Sequence, residues 1–292
     1  MSIKVRNLTY IYDEGFIFAK KALDNVSLDV FDREIVGIIG HTGSGKSTLV
    51  QHLNGLIKPK KPDTIIIDEV DIFNPKVNLK EVRQKVGLVF QYPEMQLFEE
   101  TVEKDVSFGP RNLGILEEEA REKVREALEM VSLDYEKYKA RSPFLLSGGE
   151  KRRVAVAGIL AMKPKYLILD EPTAGLDPWV RVEIFEELQN INEKGTTIVI
   201  VSHDMDEISK IAKRIYMLSN GCVVLDGSSD YVFSQFAVIK ELGLSLPQIT
   251  EILYMLNLEF GKVDFTQLDL DRAANEILEC LKRNKKWKSK IV

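Results

Sequence analysis

Cysteine is nearly absent. Two residues, Cys222 and Cys280, occur in 292. That excludes a disulfide framework, and the pair has no metal-ligand spacing. Both read as incidental or buried thiols in a reducing compartment. Long apolar runs are missing too. No stretch approaches the roughly 20 apolar residues that span a bilayer. The opening "MSIKVRNLTYIYDEG" alternates apolar and polar and lacks the apolar centre of a signal peptide. The expectation is synthesis and residence in the cytosol, with any membrane attachment made through a partner. Excess positive charge is also lacking. The net charge of −5 argues against an extended nucleic-acid surface, so no nucleic-acid partner is expected. What remains is 45% hydrophobic and 29% charged residues, the balance of a globular chain. The length suits one large domain with an appendage.

The pattern along the chain is that of a mostly parallel α/β protein. "IKVRNLTYIY" alternates like a half-buried strand, and "NVSLDV" reads as another. "EIVGIIG" is a continuous apolar strand ending in glycine, with a helix from Lys46 to about Leu56 behind it. "TIIID" and "VGLVF" are further strands. Residues 93–163 turn helical. There Ala120, Val124, Leu128 and Val131 share one face, and "SGGEKRRVAVAGILAM" forms a second helix. Alternation then resumes with the strand "YLILD", a helix over Trp179–Glu193, the strand "TTIVIVS" and a helix over Met205–Ala212. A hairpin turns at Asn220-Gly221. Beyond residue 243, "LPQITEILYMLN" and "LDRAANEILECLKRNKKW" are amphipathic helices of a separate C-terminal module. The expected boundaries are 1–242 and 243–292. The basic tail "KRNKKWKSK" is expected to be a solvated end.

Chemistry concentrates in the glycine stretch "GHTGSGKST", comprising Gly40, His41, Thr42, Gly43, Ser44, Gly45, Lys46, Ser47 and Thr48. It fits G-x-x-x-x-G-K-[ST] between a strand and a helix, where several backbone N–H groups can converge on a phosphate. The helix start adds its positive dipole end. Lys46 reaches the β- and γ-phosphates and Ser47 reaches Mg²⁺. A glycine turn without ligand is the competing reading, and both flanking elements count against it. "YLILDEP" puts Asp170 and Glu171 at the carboxyl end of an apolar strand, where open α/β sheets bind ligands. Asp170 suits the metal; Glu171 suits a base or orienter for the attacking water. Gln91 and His203 follow two other strands of the same core. His41 and His52 have plainer structural readings. "LSGGEKRR" offers a second anion site, with Ser147 as N-cap and Gly148 and Gly149 opening a helix. No second Lys-bearing loop accompanies it, so two chains sharing each nucleotide is the economical account.

Together these motifs resemble the ATP-binding cassette (ABC) ATPases over residues 3–230. "GHTGSGKST", "FQ", "LSGGE", "YLILDEP", "AGLDP" and "VSHD" stand in that family's order. The usual signature ends in glutamine; here Glu150 replaces it, a conservative departure. The resemblance implies a head-to-tail dimer, with ATP at Lys46 of one subunit covered by Ser147, Gly148 and Gly149 of the other. It implies Tyr12 as the residue stacking on adenine, with Tyr10 the competitor. It implies Gln91 as a metal-linked sensor, Asp177 as a cross-dimer contact and His203 as the γ-phosphate switch. Within that family, "GHTGSGKSTLVQHLNGLIKP" and "VFQYPEMQLFEETVEKDVSFGP" are similar to the A component of energy-coupling factor (ECF) transporters. The threonine in the first suggests the second of the two ATPases such transporters often carry.

The ECF resemblance implies a transmembrane T component, docking near Tyr92–Glu100, and a substrate-binding S component contacted indirectly. It also implies a place on the cytoplasmic face of the cell membrane. The ATPase partner is a homologous subunit or a second copy. "YPEMQLFEE" reads as an apolar groove edged by Glu94, Glu99 and Glu100, suited to a basic amphipathic helix. Competing readings are another ABC importer, for amino acids or metal chelates, and a non-transport ABC protein. No sustained heptads separate Lys46 from Ser147, as a DNA-repair relative would need. A regulatory module without hydrolysis fits poorly with Glu171 and His203 both present. The transported substrate leaves no trace in the chain.

Overall fold

In the computed structural model, residues 2–283 are described. In chain order the elements are β1 (Ser2–Tyr12), β2 (Lys20–Phe31), β3 (Ile35–Ile39), α1 (Lys46–Leu53), β4 (Ile65–Ile67), β5 (Val70–Asp71), α2 (Leu79–Lys85) and β6 (Val86–Val89). A helical lobe follows: α3 (Val102–Asn112), α4 (Glu117–Met130), α5 (Tyr135–Tyr138) and α6 (Gly148–Leu160). Then come β7 (Tyr166–Asp170), α7 (Pro178–Glu193), β8 (Thr197–Ser202), α8 (Met205–Ile211), β9 (Arg214–Ser219) and β10 (Cys222–Ser228). The chain closes with α9 (Ser229–Ser234), α10 (Phe236–Glu241), α11 (Gln248–Phe260) and α12 (Leu270–Arg283).

Six strands form the central sheet in the order β10-β9-β3-β8-β7-β6. All neighbours in it are parallel except the β9–β10 hairpin. Side chains alternate across it, as a pleated strand requires. Val36, Ile38, Val199, Val201 and Ile168 face one core, shared with α1 and the antiparallel sheet β2-β1-β4-β5. Ile35, Ile39, Ile198, Ile200 and Leu169 face a second core, shared with the helical lobe and α7 to α10. Both faces are covered, so the central strands are continuous apolar runs. The four residues expected on one helical face, Ala120, Val124, Leu128 and Val131, are all buried; Val124, Leu128 and the C-cap Val131 belong to the second core.

The helix after the glycine stretch stops at Leu53, short of Leu56. Asn54 turns its amide onto the Val86 carbonyl, and Gly55 takes φ +71°. The helix over Met205 ends one residue early, at Ile211. Two short helices, α9 and α10, were not anticipated. At the C-terminus, α11 and α12 enclose a small core of Leu253, Val263, Ala273 and Cys280. Tyr254 stacks on Phe236 of α10 at 4.5 Å and Phe265 meets the same ring edge-on at 4.8 Å, tying this core to the cassette. Most of the basic tail lies outside the described residues.

Candidate functional site

Parallel strands deliver their carboxyl ends to one edge. Ile39 pairs with Ser202, and Asp170 pairs with Val201. The residues that follow, Gly40, His203 and Glu171, therefore emerge in one layer. Gln91 follows β6 at the same edge. The segment between β3 and α1 folds back as a hollow. Gly40 and Gly45 are required there: both have positive φ, and a Cβ on Gly45 would meet the Ala22 carbonyl oxygen at 2.5 Å. The loop is braced from below by the hairpin turn, where Gly221 N–H donates to the Ser44 carbonyl at 3.0 Å. Lys46 Nζ donates to the carbonyls of Gly40 (2.7 Å) and His41 (3.1 Å). Its ammonium pKa is pushed down by burial, against the pull of Glu171 and Asp170.

Opposite the loop, burial pushes the Asp170 carboxyl up, while a hydrogen bond from Ser47 and the Lys46 charge pull it back. Glu171 holds φ +52°, and its N–H donates to the Val201 carbonyl at 2.8 Å. A left-handed non-glycine residue costs about 1 kcal/mol or more and clusters at functional sites. Its Oε2 lies 2.8 Å from His203 Nδ1. Behind it, Thr173 Oγ1 donates to Glu207 at 2.7 Å, and Arg181 sits beside Glu207 and Asp204.

A cleft of about 350 Å³ joins these groups. It is lined by Tyr12, Thr42, Gly43, Gly45, Lys46, Ser47, Thr48, Gln91, Asp170, Glu171 and His203. Tyr12 hydroxyl sits 3.2 Å from Thr48 Oγ1. Tyr10 instead packs edge-on against His52 at 4.7 Å, so Tyr12 is the tyrosine at the cleft. His52 is buried, with Nδ1 2.8 Å from the Thr48 carbonyl, a structural role. Lys20 and Ala22 also line the cleft. Sequence reading missed both; only the Tyr12–Lys20 strand pairing brings them there.

The residues fit a nucleoside triphosphate with Mg²⁺. The loop hollow carries an ammonium, and Ser44 Oγ is buried without a hydrogen bond among the described residues. The Ser47 hydroxyl and Asp170 carboxyl stand together as hard oxygen donors. Among the described residues no group of three or more His, Cys, Asp or Glu could hold a metal alone, so phosphate oxygens and water would complete the coordination.

Ser147, Gly148, Gly149 and Asp177 do not line this cleft. Ser147 caps α6 on the helical lobe, in a capping box with Glu150. A Cβ on Gly148 would meet nothing within 4 Å, so that helix start is open to approach. Glu150 accepts from Tyr138 hydroxyl (2.6 Å) and Ser147 N–H (2.8 Å). These bonds hold its carboxyl well down, at about 2.

The acid-edged groove needs correction. Glu94 faces inward and grips Arg152 with both oxygens at 3.1 Å. Glu100 is paired with Lys104 at 2.8 Å. A groove of about 540 Å³ does exist, lined by Leu97, Phe98, Phe108, Leu113, Ile159 and Met162 among others. Its charged rim is Lys80, Arg83 and Asp105, and Asp105 accepts from the Phe98 and Glu99 N–H groups at 2.9 Å. Of the three acids of "YPEMQLFEE", Glu94 is spent within the chain, Glu100 is 82% exposed beside Lys104, and none of the three lines the groove.

Residues 23–174 match the family model described as ABC transporter. The chain belongs to the ABC transporter ATPase family. It is 50% identical over 285 residues to the energy-coupling factor transporter ATP-binding protein EcfA2 of Clostridium perfringens, covering 97% of this chain and 100% of that one. Against EcfA2 of Clostridioides difficile the identity is 51% over 284 residues, covering 97% and 98%. Among solved structures, cbiO1 from Clostridium perfringens, part of the ABC transporter complex cbiONQ, has TM-score 0.72 and 38% identity, covering 86% of this chain and 98% of that one. A dimeric post-hydrolysis state of the ATP-binding cassette MJ0796 bound to ADP and Pi has TM-score 0.67 and 31% identity, covering 78% and 98%. Among the described residues no helix is long and apolar enough to cross a membrane.

Proposed function

We propose that this chain is the ATP-hydrolysing A subunit of an ECF-type importer. It would power uptake of a vitamin or metal ion through a T component and a separate S component, as a translocase bound peripherally to the cytoplasmic face of the membrane. The observation that carries hydrolysis is Glu171, held against His203 beside Lys46 and the Ser47–Asp170 pair. ATP with Mg²⁺ supplies the phosphoryl group and the charge neutralisation that lets it leave. The loop N–H groups and Lys46 hold and orient the β- and γ-phosphates. Ser47 and Asp170 would hold the metal, with Gln91 as a further oxygen donor at the same edge of the cleft. Tyr12 presents its ring to the adenine. Glu171 orients the water and accepts its proton; His203 holds that carboxylate and touches the γ-phosphate.

The open start of α6 supports the head-to-tail reading: Ser147 to Gly149, with Asp177, complete the site of a partner cassette. That partner is a related ATPase or a second copy. Residues 1–242 form the nucleotide-binding domain in this reading. Residues 243–292 form a dimerisation module, a role supported by exposed Ile252, Met255, Leu258, Leu270 and Leu278. The groove at Phe98 and Phe108, with Met95 exposed nearby, suits an amphipathic coupling helix of the T component. Glu171→Gln should lower hydrolysis about 10²- to 10⁴-fold and leave ATP binding intact. Hydrolysis at the parent rate would overturn the assignment. Light scattering of that variant in Mg-ATP reads the partner: two-chain mass for self-pairing, one-chain mass for a related ATPase.

A further inference from the structure

Glu171 sits in a backbone conformation that has to be enforced. Its φ of +52° is left-handed, and such a residue persists only where its surroundings over-determine it. The loop that follows is wound tight. Ala174 N–H donates to the Glu171 carbonyl and Leu176 N–H to the Thr173 carbonyl, both at 3.2 Å. Arg152 holds the Pro172 and Ala174 carbonyls. Arg181, in the first turn of α7, donates through Nε to the Leu176 carbonyl at 3.0 Å. Thr173 is buried, and its Oγ1 donates to Glu207 Oε2 at 2.7 Å.

His203 is set by the same group of residues. Its side chain is 69% exposed, so little packing holds it, and its place follows from the backbone turn into α8. Asp204, the next residue, caps that helix: its Oδ1 accepts from Glu207 N–H at 3.1 Å. Asp204 N–H donates to Ser202 Oγ at 3.0 Å. The other Asp204 oxygen lies 3.4 Å from Arg181 Nη1, and Glu207 Oε1 lies 3.6 Å from the same nitrogen. Glu207 Oε1 is buried and accepts no hydrogen bond among the described residues, so the Arg181 charge is what offsets its burial. Burial pushes the Glu207 carboxyl up, the Thr173 hydrogen bond and Arg181 pull it back, and Asp204 and Glu171 add to the push.

We propose that Arg181, Glu207 and Thr173 form a clamp that positions the hydrolytic pair. It joins the loop carrying Glu171 to the turn carrying His203, and so sets where the two side chains meet. The proposal rests on the reading of Glu171 as the carboxylate that orients the attacking water. None of the three clamp residues lines the cleft. They are positioning residues, and their effect falls on turnover, not on ATP binding. Misplacing a reacting group by about 1 Å can cost on the order of 10²-fold in rate, so a partial release of the clamp is measurable.

The test uses the complex purified with its partner ATPase and membrane components, and reads kcat and KM for ATP. Glu171→Gln in this chain sets the floor left by the other site. Above that floor, Thr173→Val, which keeps the shape and removes the hydroxyl, should lower kcat at least about ten-fold, with KM within about two-fold of the parent. Thr173→Ser keeps the donor and should hold kcat within about three-fold of the parent. Arg181→Met should behave as Thr173→Val does. The two combined should fall no more than about two-fold below the slower single variant, because groups that act as a unit are not additive. Thr173→Val and Arg181→Met at parent turnover, with Glu171→Gln slow, overturn the clamp and leave the Glu171 assignment standing. A loss that Thr173→Ser shares, that comes with an equal rise in KM, or that is additive in the double variant marks a merely structural role and also overturns it. Glu171→Gln at the parent rate removes the Glu171 reading, and the clamp with it.

Discussion

Arg152 joins three segments of the molecule, and breaking it should be costly in a way that can be measured. It lies on α6, and its side chain is 3% exposed. Nε and one terminal nitrogen donate to the two oxygens of Glu94 at 3.1 Å. The other terminal nitrogen donates to the carbonyls of Pro172 (2.9 Å) and Ala174 (3.0 Å). The signature helix, the segment after Gln91 and the loop after Glu171 thus share one guanidinium. Glu94→Gln keeps the shape and leaves a buried cation without its counter-charge. Orphaning one member of a fully buried pair costs about 3–5 kcal/mol. Glu94 is 22% exposed, and water reaching it brings the expected loss to about 2–3 kcal/mol. Arg152→Met removes the same pair together with two carbonyl bonds, and should cost at least as much. Urea denaturation of both single variants and the double variant gives a cycle, with an expected coupling energy of about 2 kcal/mol. Single losses under about 0.5 kcal/mol, or strict additivity, would refute the reasoning. Glu94→Lys is for the same reason a poor probe of T-component docking: it sets an ammonium against a buried guanidinium. Met95, Phe98 and Phe108 are the cleaner positions.

Gly45→Ala should abolish nucleotide binding in a titration with a fluorescent ATP analogue, because the Cβ strikes the Ala22 carbonyl at φ +106°; binding within two-fold of the parent would contradict this. Glu150→Gln should still hydrolyse ATP, and should lose up to about 1 kcal/mol of stability at neutral pH with the charged cap. The parent's advantage should fade as pH falls from 4.5 towards about 2, because the folded carboxyl is depressed. Glu187 behaves oppositely. Burial raises its carboxyl from 4.5 to about 7, with Arg153 pulling it back. The stability from its protonation is complete below pH 4.5 and is lost as pH rises through 7. Glu187→Gln should flatten that loss, by about 1–2 kcal/mol between pH 5 and 8 in urea melts, and an identical pH profile would count against it.

Short motifs were legible because their chemistry demands particular residues at fixed spacing. The hollow at Gly40–Ser47 and the acid pair at Asp170 each occupy consecutive positions after an apolar strand, so pattern alone located them. Contacts between distant segments were not legible. Arg152 meets Glu94 across 58 residues, and Glu94 looked like one more surface acid of "YPEMQLFEE". Lys20 reaches the cleft only because β1 and β2 pair in a register broken three times by irregularities. The α3 helix carries Gly109 and Pro110 in its own last turns, residues that argue against helix locally. Packing on α6 and α4 overrides them.

The arrangement gives a physical reason why two nucleotide sites in a pair would not act independently. Glu171 stands at the start of the loop whose Pro172 and Ala174 carbonyls hold Arg152. Arg152 stands one and a half turns along the helix that Ser147 caps. In the head-to-tail reading, a change at Glu171 during hydrolysis in one chain reaches the same chain's signature helix through a buried guanidinium. That helix covers the partner's ATP. The same guanidinium grips Glu94, between Gln91 at the cleft and Phe98 at the groove. In the proposed reading, one buried cation would tie together the carboxylate assigned to hydrolysis, the cover of the opposite site and the groove proposed for the membrane component. A rigid joint at that point transmits displacement, because packed interiors shift between arrangements and deform little.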